Sequence, residues 1–383
     1  ILFSCCLFIF TYLTQYIATD INAHLEQIKR INNGQASYPA NFLFYYIVNL
    51  LAVFSNGRLL LASAVFVLSA ACTGKYIISK QFIIHFCNAL NPKLSTTFSK
   101  QIVVIASALF FCFAIPDPFS LFVLKKMYLG KFVPMVWHNS TTIFLFPFAI
   151  LLFWKQLTLF DPKVNFKGID IVIINFLVML NMLVKPSFLF TFAPVTLFFL
   201  IQRFKVESLK NWILKATPIF TTFLVVLLQY YFIYIKQDGS FYHEQSKVAL
   251  SFPFELLSTF IPNWFIPFSF IFSFAFIIYT MIVYKEIINF LPFRYALTLA
   301  IVGISISAFF IEIGPRALHG NFLWQNVICS YLLFLTTISF IMPKLIVKKT
   351  WTINDKMLGL LFLMHTISGF LYIFKIAITT SYY

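Results

Sequence analysis

Apolar runs long enough to cross a bilayer recur from one end of this chain to the other, and that repetition leaves few folds open. A membrane-crossing helix needs roughly 17 to 25 predominantly apolar residues. Such runs stand at about 1–18, 58–75, 101–115, 140–158, 170–184, 187–202, 213–235, 262–284, 295–312, 324–342 and 357–376. They are solid blocks, whereas a β-barrel would show short segments of alternating hydrophobicity. Composition agrees: 61% of the 383 residues are hydrophobic and 10% are charged, where about a quarter is usual for a soluble domain. The expected fold is therefore all-α, a polytopic transmembrane helical bundle of about eleven spans forming a single integral membrane domain over residues 1–383. The first run has no small-residue cleavage site before Asp20 and is expected to be a retained span.

Charge orients the bundle. The stretch 41–54, NFLFYYIVNLLAVF, is short for a span and suits an interfacial or re-entrant helix. If it does not cross, the loops 75–100, 155–168, 203–215, 285–294 and 344–356 share one face. They hold well over half of the 28 Lys and Arg residues, which makes that face cytoplasmic by the positive-inside rule and puts the N-terminus inside. The opposite face then gathers 19–57 (with interfacial helices), 116–139, the Lys185-Pro186-Ser187 junction, 236–261 and 313–323. The net charge of +16 is spread through short loops as a topology signal, so no nucleic-acid partner is expected. The six cysteines form no CxxC pair and lie mostly in apolar runs. They read as small core residues, without a disulfide framework or a metal site.

The outer segments carry the candidate chemistry. In TDINAHLEQIKRINNGQASY, from Thr19 to Tyr38, helical spacing puts Asp20, His24 and Gln27 on one stripe. Ile21, Leu25, Ile28 and Ile31 form an adjoining apolar stripe, so this helix is expected to lie along the membrane surface. A carboxylate beside a histidine at that boundary suits a catalytic base; Thr19 or Asp20 would serve equally as a helix N-cap. In VWHNST, Trp137, His138 and Asn139 offer a stacking ring, an imidazole and an amide for sugar or phosphate. The alternative is an interfacial Trp followed by a cap at Asn139 or Ser140. Lys185 places an ammonium between two spans, as a phosphate partner or a snorkelling side chain. Arg316 and His319 lie in GPRALHGNFLWQ, a tight loop in which Arg316 would meet phosphate. Glu312 is a secondary candidate, His243 and Glu244 weaker ones. His85 and His365 fall on the wrong face or inside a span. Lys125, Lys126, Lys131, Lys185 and Arg316 run against the topology rule, which an anionic ligand on the outer face would explain.

An apolar first span, Asp20 opening the loop after it, the D-x-x-x-H spacing to His24, and Tyr38-Pro39 before NFLFYY together resemble the GT-C superfamily of membrane glycosyltransferases. The resemblance is best over residues 1–80; many members pair two acids in the first loop, whereas Asp20 follows Thr19 and stands alone. It implies interfacial helices before the second span and a first-loop acid acting as base. It also implies transfer of a sugar from a polyprenyl-phosphate donor to a glycan, lipid or protein acceptor on the extracytoplasmic face of a bacterial plasma membrane. No cofactor is expected, a divalent metal being left open. In that scheme Asp20 and His24 are catalytic, and His138, Trp137, Asn139, Lys185, Arg316 and His319 hold the substrate and its phosphate. The rival readings are a transporter or flippase of a lipid-linked sugar, which should bury polar groups midway through its spans, and a polysaccharide polymerase or ligase.

Overall fold

The computed structural model describes residues 1–90, 99–161, 166–235, 247–314 and 317–381. Its helices are α1 (Leu2–Tyr16), α2 (Asp20–Asn32), α3 (Leu43–Leu51), α4 (Arg58–Leu90), α5 (Ser99–Phe110), α6 (Ser140–Phe160), α7 (Gly168–Val184), α8 (Ser187–Arg203), α9 (Leu209–Tyr230), α10 (Ile266–Val283), α11 (Leu291–Phe309), α12 (Trp324–Ile346) and α13 (Ile353–Thr379). Every apolar run read from the sequence is helical over most of its length. Among the described residues seven helices (α4, α6, α9, α10, α11, α12 and α13) are long and apolar enough to cross a membrane. The protein is thus an integral membrane protein built as a helical bundle. Helices α1 and α2 form a pair bent by 74°, and α5, α7 and α8 are shorter apolar helices. At nine residues, α3 is about 13 Å long, too short for the roughly 30 Å hydrocarbon core.

The chain divides into two compact units. The first comprises residues 1–74, 137–250 and 310–325; the second comprises 75–136, 251–309 and 326–383. In the first, α7 packs on α6 and α9, and α9 on α8. Phe10, Phe44, Val48, Leu145, Phe146, Phe153, Ile174 and Phe188 are fully buried. A Cβ at Gly74 would lie 3.3 Å from the Pro147 ring, a tight contact that shows how closely α4 and α6 approach there. Helix α2 does not rest its apolar stripe on lipid: Ile21, Leu25 and Ile28 are buried in the protein. A two-stranded antiparallel sheet pairs β1 (Lys247–Leu250) with β2 (Phe310–Ile313). The expected span 295–312 therefore ends early, at Phe309, and Glu312 lies on a strand, where it accepts from Asn321 Nδ2 at 2.5 Å.

In the second unit, α10 packs on α13, and residues of α12 such as Cys329, Tyr331, Phe334 and Leu335 are almost inaccessible. The sequence ends the second span at Lys75, because a lysine followed by Lys80 reads as a loop. The helix instead continues to Leu90, and Lys75, Ser79, Phe82, Ile83 and Cys87 form one buried stripe at helical spacing. The Lys75 ammonium lies 3.8 Å from the Tyr331 ring centroid and 3.0 Å from Met135 Sδ, where an aromatic face accepts a cation favourably. Helix α5 stops at Phe110, short of the expected 115. The chain beyond it is stitched to α13: the Phe113 N–H donates to the His365 carbonyl at 3.0 Å, His365 Nδ1 bonds the Phe113 carbonyl at 2.6 Å, and Ser368 Oγ donates to the Ala114 carbonyl at 2.5 Å.

Candidate active site

The site of interest lies wholly in the first unit and starts with a cap. Thr19, in extended conformation, is the N-cap of α2: its Oγ1 accepts the Ile21 N–H at 3.2 Å, and Asn22 Oδ1 accepts the Thr19 N–H at 3.3 Å. With Thr19 meeting the orphan amides, Asp20 is released from that duty. It occupies the first helical position, where the helix dipole favours a carboxylate.

Asp20 points to the start of another helix. Its Oδ2 accepts a hydrogen bond from Asn139 Nδ2 at 2.6 Å. Asn139 is itself the N-cap of α6, its Oδ1 accepting the Thr142 N–H at 3.0 Å. The same Oδ1 takes Thr141 Oγ1 at 3.2 Å and Lys185 Nζ at 3.0 Å. Three donors on one oxygen settle which way the amide faces, so its NH₂ must turn to Asp20. One step along, His24 Nδ1 is hydrogen-bonded to Ser140 Oγ, and its ring meets Tyr45 edge-on at 5.3 Å.

Lys185 reaches the same point from the elbow between α7 and α8. Pro186 cannot continue α7 and forces the residue before it out of helical conformation; Lys185 is extended accordingly, at φ −170°. Its ammonium also donates to Thr142 Oγ1 at 3.0 Å and lies 4.4 Å from the Trp324 ring centroid. His138, buried, stands 5.8 Å ring-to-ring from the same indole. Stretches near positions 20, 139, 185 and 324 thus converge: a carboxylate, an amide, an ammonium and an aromatic face in hydrogen-bonding or stacking sequence.

Burial governs the charges. It pulls the Lys185 ammonium down to about 7, against the opposing pull of Asp20. It holds His138 at about 4, where the nearby Asp20 raises it and Lys185 lowers it further. His138 is therefore a neutral imidazole at physiological pH, and Lys185 stands near its midpoint. Asp20 remains partly accessible, with Oδ2 tethered by Asn139. Chemically, the arrangement offers a fixed proton acceptor within one amide of a desolvated cation, the pairing needed to deprotonate a hydroxyl while stabilising a departing anion.

Of the residues singled out in the sequence, Asp20, His24, His138, Asn139 and Lys185 come together. Trp137 turns away from the role expected of it: its indole is 2% exposed and packed against Phe10 at 5.8 Å, closed to a stacking sugar. The ring beneath Lys185 is Trp324, which the sequence offered only as the start of a span. Arg316, His243 and Glu244 lie outside the described residues; His319 closes the short turn Ala317–His319, and only its backbone is described. Thr142 and Tyr45 were also missed. Thr142 carries a signal, three residues beyond a capping Asn; Tyr45 is one aromatic among many. Among the described residues no three His, Cys, Asp or Glu side chains gather as a metal ligand set. No protein-family model matches the sequence, and no curated protein matches it.

Proposed function

We propose that this protein is a membrane glycosyltransferase that moves a sugar from a polyprenyl-phosphate donor to an acceptor hydroxyl. One observation supports this above the rest: Asp20, Asn139 and Lys185, far apart in the chain, form a single line of hydrogen bonds at 2.6 and 3.0 Å. Asp20 Oδ1 takes the proton of the acceptor hydroxyl as its oxygen bonds to the anomeric carbon. The bond from that carbon to the phosphate oxygen breaks, and polyprenyl phosphate leaves with the electron pair. The Lys185 ammonium meets the charge that develops on it. Displacement in one step inverts the anomeric centre. In this reading all eleven apolar runs cross, the α1–α2 bend marks the membrane boundary, and the site opens on the extracytoplasmic face.

The test is turnover by purified protein in nanodiscs with a panel of polyprenyl-phosphate sugars, wild type against Asp20→Asn. Release of polyprenyl phosphate by the wild type, lost in a folded variant, is the expected result. Undiminished release by the variant overturns the role of Asp20.

A second reading, transport of a lipid-linked sugar, gains from one feature: polar groups are buried within long apolar helices. Lys75 in α4 and Gln156 in α6 are examples, and both amide atoms of Gln156 lack a hydrogen-bond partner. Uptake of a labelled donor into proteoliposomes without release of polyprenyl phosphate would favour it.

A further inference from the structure

A second feature of the first unit bears on a different ligand. A groove of about 770 Å³ runs between α1 and α4 and is lined chiefly by Leu7, Thr11 and Gln15 on one wall and by Arg58, Ala62 and Phe66 on the other. Leu7, Thr11 and Gln15 follow one another at four-residue steps, so the α1 wall is a single helical stripe, while Leu61, Ser63 and Val65 widen the α4 wall. Phe3 and Phe66 meet edge-to-face at 5.7 Å and close one end. The start of α1 therefore lies beside the third turn of α4, and the two helices run antiparallel. Gln15 and Arg58 consequently share the other end of the groove, whose walls are mostly apolar, with the Thr11 and Ser63 hydroxyls between.

Among the described residues neither Gln15 nor Arg58 has a hydrogen-bond or ion-pair partner, and both are exposed. An uncompensated guanidinium at the head of an apolar crevice matches an amphiphile with an anionic head: phosphate at Arg58, one chain along Leu7 and Phe66. Both ends of α2 are tied to this end of the groove: Asn56, two residues before Arg58, is clasped by Asn32 and Asn33 at 2.9 and 2.8 Å, and Asn22 Nδ2 donates to the Thr14 carbonyl beside Gln15 at 3.0 Å.

We infer that the α1–α4 groove is a specific site for an anionic glycerophospholipid of the surrounding bilayer, selected by Arg58. Native mass spectrometry of the full chain in detergent, titrated with phosphatidylglycerol, phosphatidylcholine and a polyprenyl phosphate, tests this. The wild type is expected to retain one phosphatidylglycerol about tenfold more tightly than phosphatidylcholine, as one charge-assisted hydrogen bond allows. Arg58→Gln should bring the two phospholipids to parity. Ala62→Trp, or Leu61→Trp should the first fail to fold, fills the groove and should abolish the tight site for both. The inference is overturned by a wild type without preference, by an Arg58→Gln variant that keeps it, by a filled groove that still binds, or by displacement of phosphatidylglycerol by equimolar polyprenyl phosphate. None of these outcomes depends on transferase activity.

Discussion

Two buried lysines, Lys131 and Lys185, are held in different ways. Lys131, in the second unit, is bonded directly to Asp117, and both side chains are 1% exposed. The other Asp117 oxygen takes the Ser120 N–H at 2.7 Å, and the rings of Phe265 and Phe272 stand 5.0 and 5.5 Å from the ammonium. That pair is complete, with cation and anion each spent on the other. Lys185, in the first unit, is held by neutral oxygens, and its nearest acid lies one amide further on. Spacing the charges by Asn139 leaves the buried cation and the partly accessible acid without a direct ion pair between them. The first arrangement is a fastening; the second is, under the proposed function, an instrument.

Breaking each pair should therefore fail in a different way. Asp20→Asn should lower donor turnover by about 10²- to 10⁴-fold, the usual worth of a positioned base, with little change in the unfolding midpoint. Asp117→Asn should do the reverse. Stranding Lys131 without its anion should cost about 3–5 kcal/mol of stability, measured by denaturant or thermal unfolding, while the folded fraction keeps its turnover. If Asp117→Asn abolishes turnover in folded protein, the contrast collapses. Lys185→Met preserves packing on Trp324 but removes the charge, and should weaken donor binding roughly ten- to a hundredfold.

The comparison sharpens with pH. Because burial brings Lys185 to about 7, the ammonium is present below that pH and lost above it, so donor affinity should fall as pH rises through about 7. Asp20 supports the charged form, so in Asp20→Asn the same fall should come at lower pH. A donor-binding titration that is flat from pH 6 to 9 would contradict this. The smallest effect is expected at the cap: Thr19→Ala should cost about 1 kcal/mol, and Thr19→Ser close to nothing.

Much of this was legible from sequence for a local reason. Apolar runs declare helices by length alone, and the four-residue step from Asp20 to His24 fixes a shared stripe whatever surrounds it. Lys185 was legible because Pro186 must break the helix there. Long-range partners were not. Nothing near Trp324 signals that it will lie under an ammonium contributed from position 185, and Trp137, the more conspicuous tryptophan, is spent on packing. Lys75 misled because a lysine in an apolar run looks like a loop, and the ring that accepts it, Tyr331, is remote in the chain. The early ends of α5 and α11 were hidden likewise, since the groups that satisfy the released backbone lie on other elements.

One of those ends bears on how the protein is made. The Phe113 and Ala114 carbonyls find their side-chain donors only on α13, at His365 and Ser368, which follow by 252 and 254 positions. Gly369 beside them leaves no room for error, since a Cβ there would fall 1.6 Å from the Phe111 carbonyl oxygen. Unmatched carbonyls in hydrocarbon are costly. During synthesis these two carbonyls therefore lack their side-chain donors until α13 has been made. The second unit is thus fastened by a helix translated 252 to 254 positions after the carbonyls it meets.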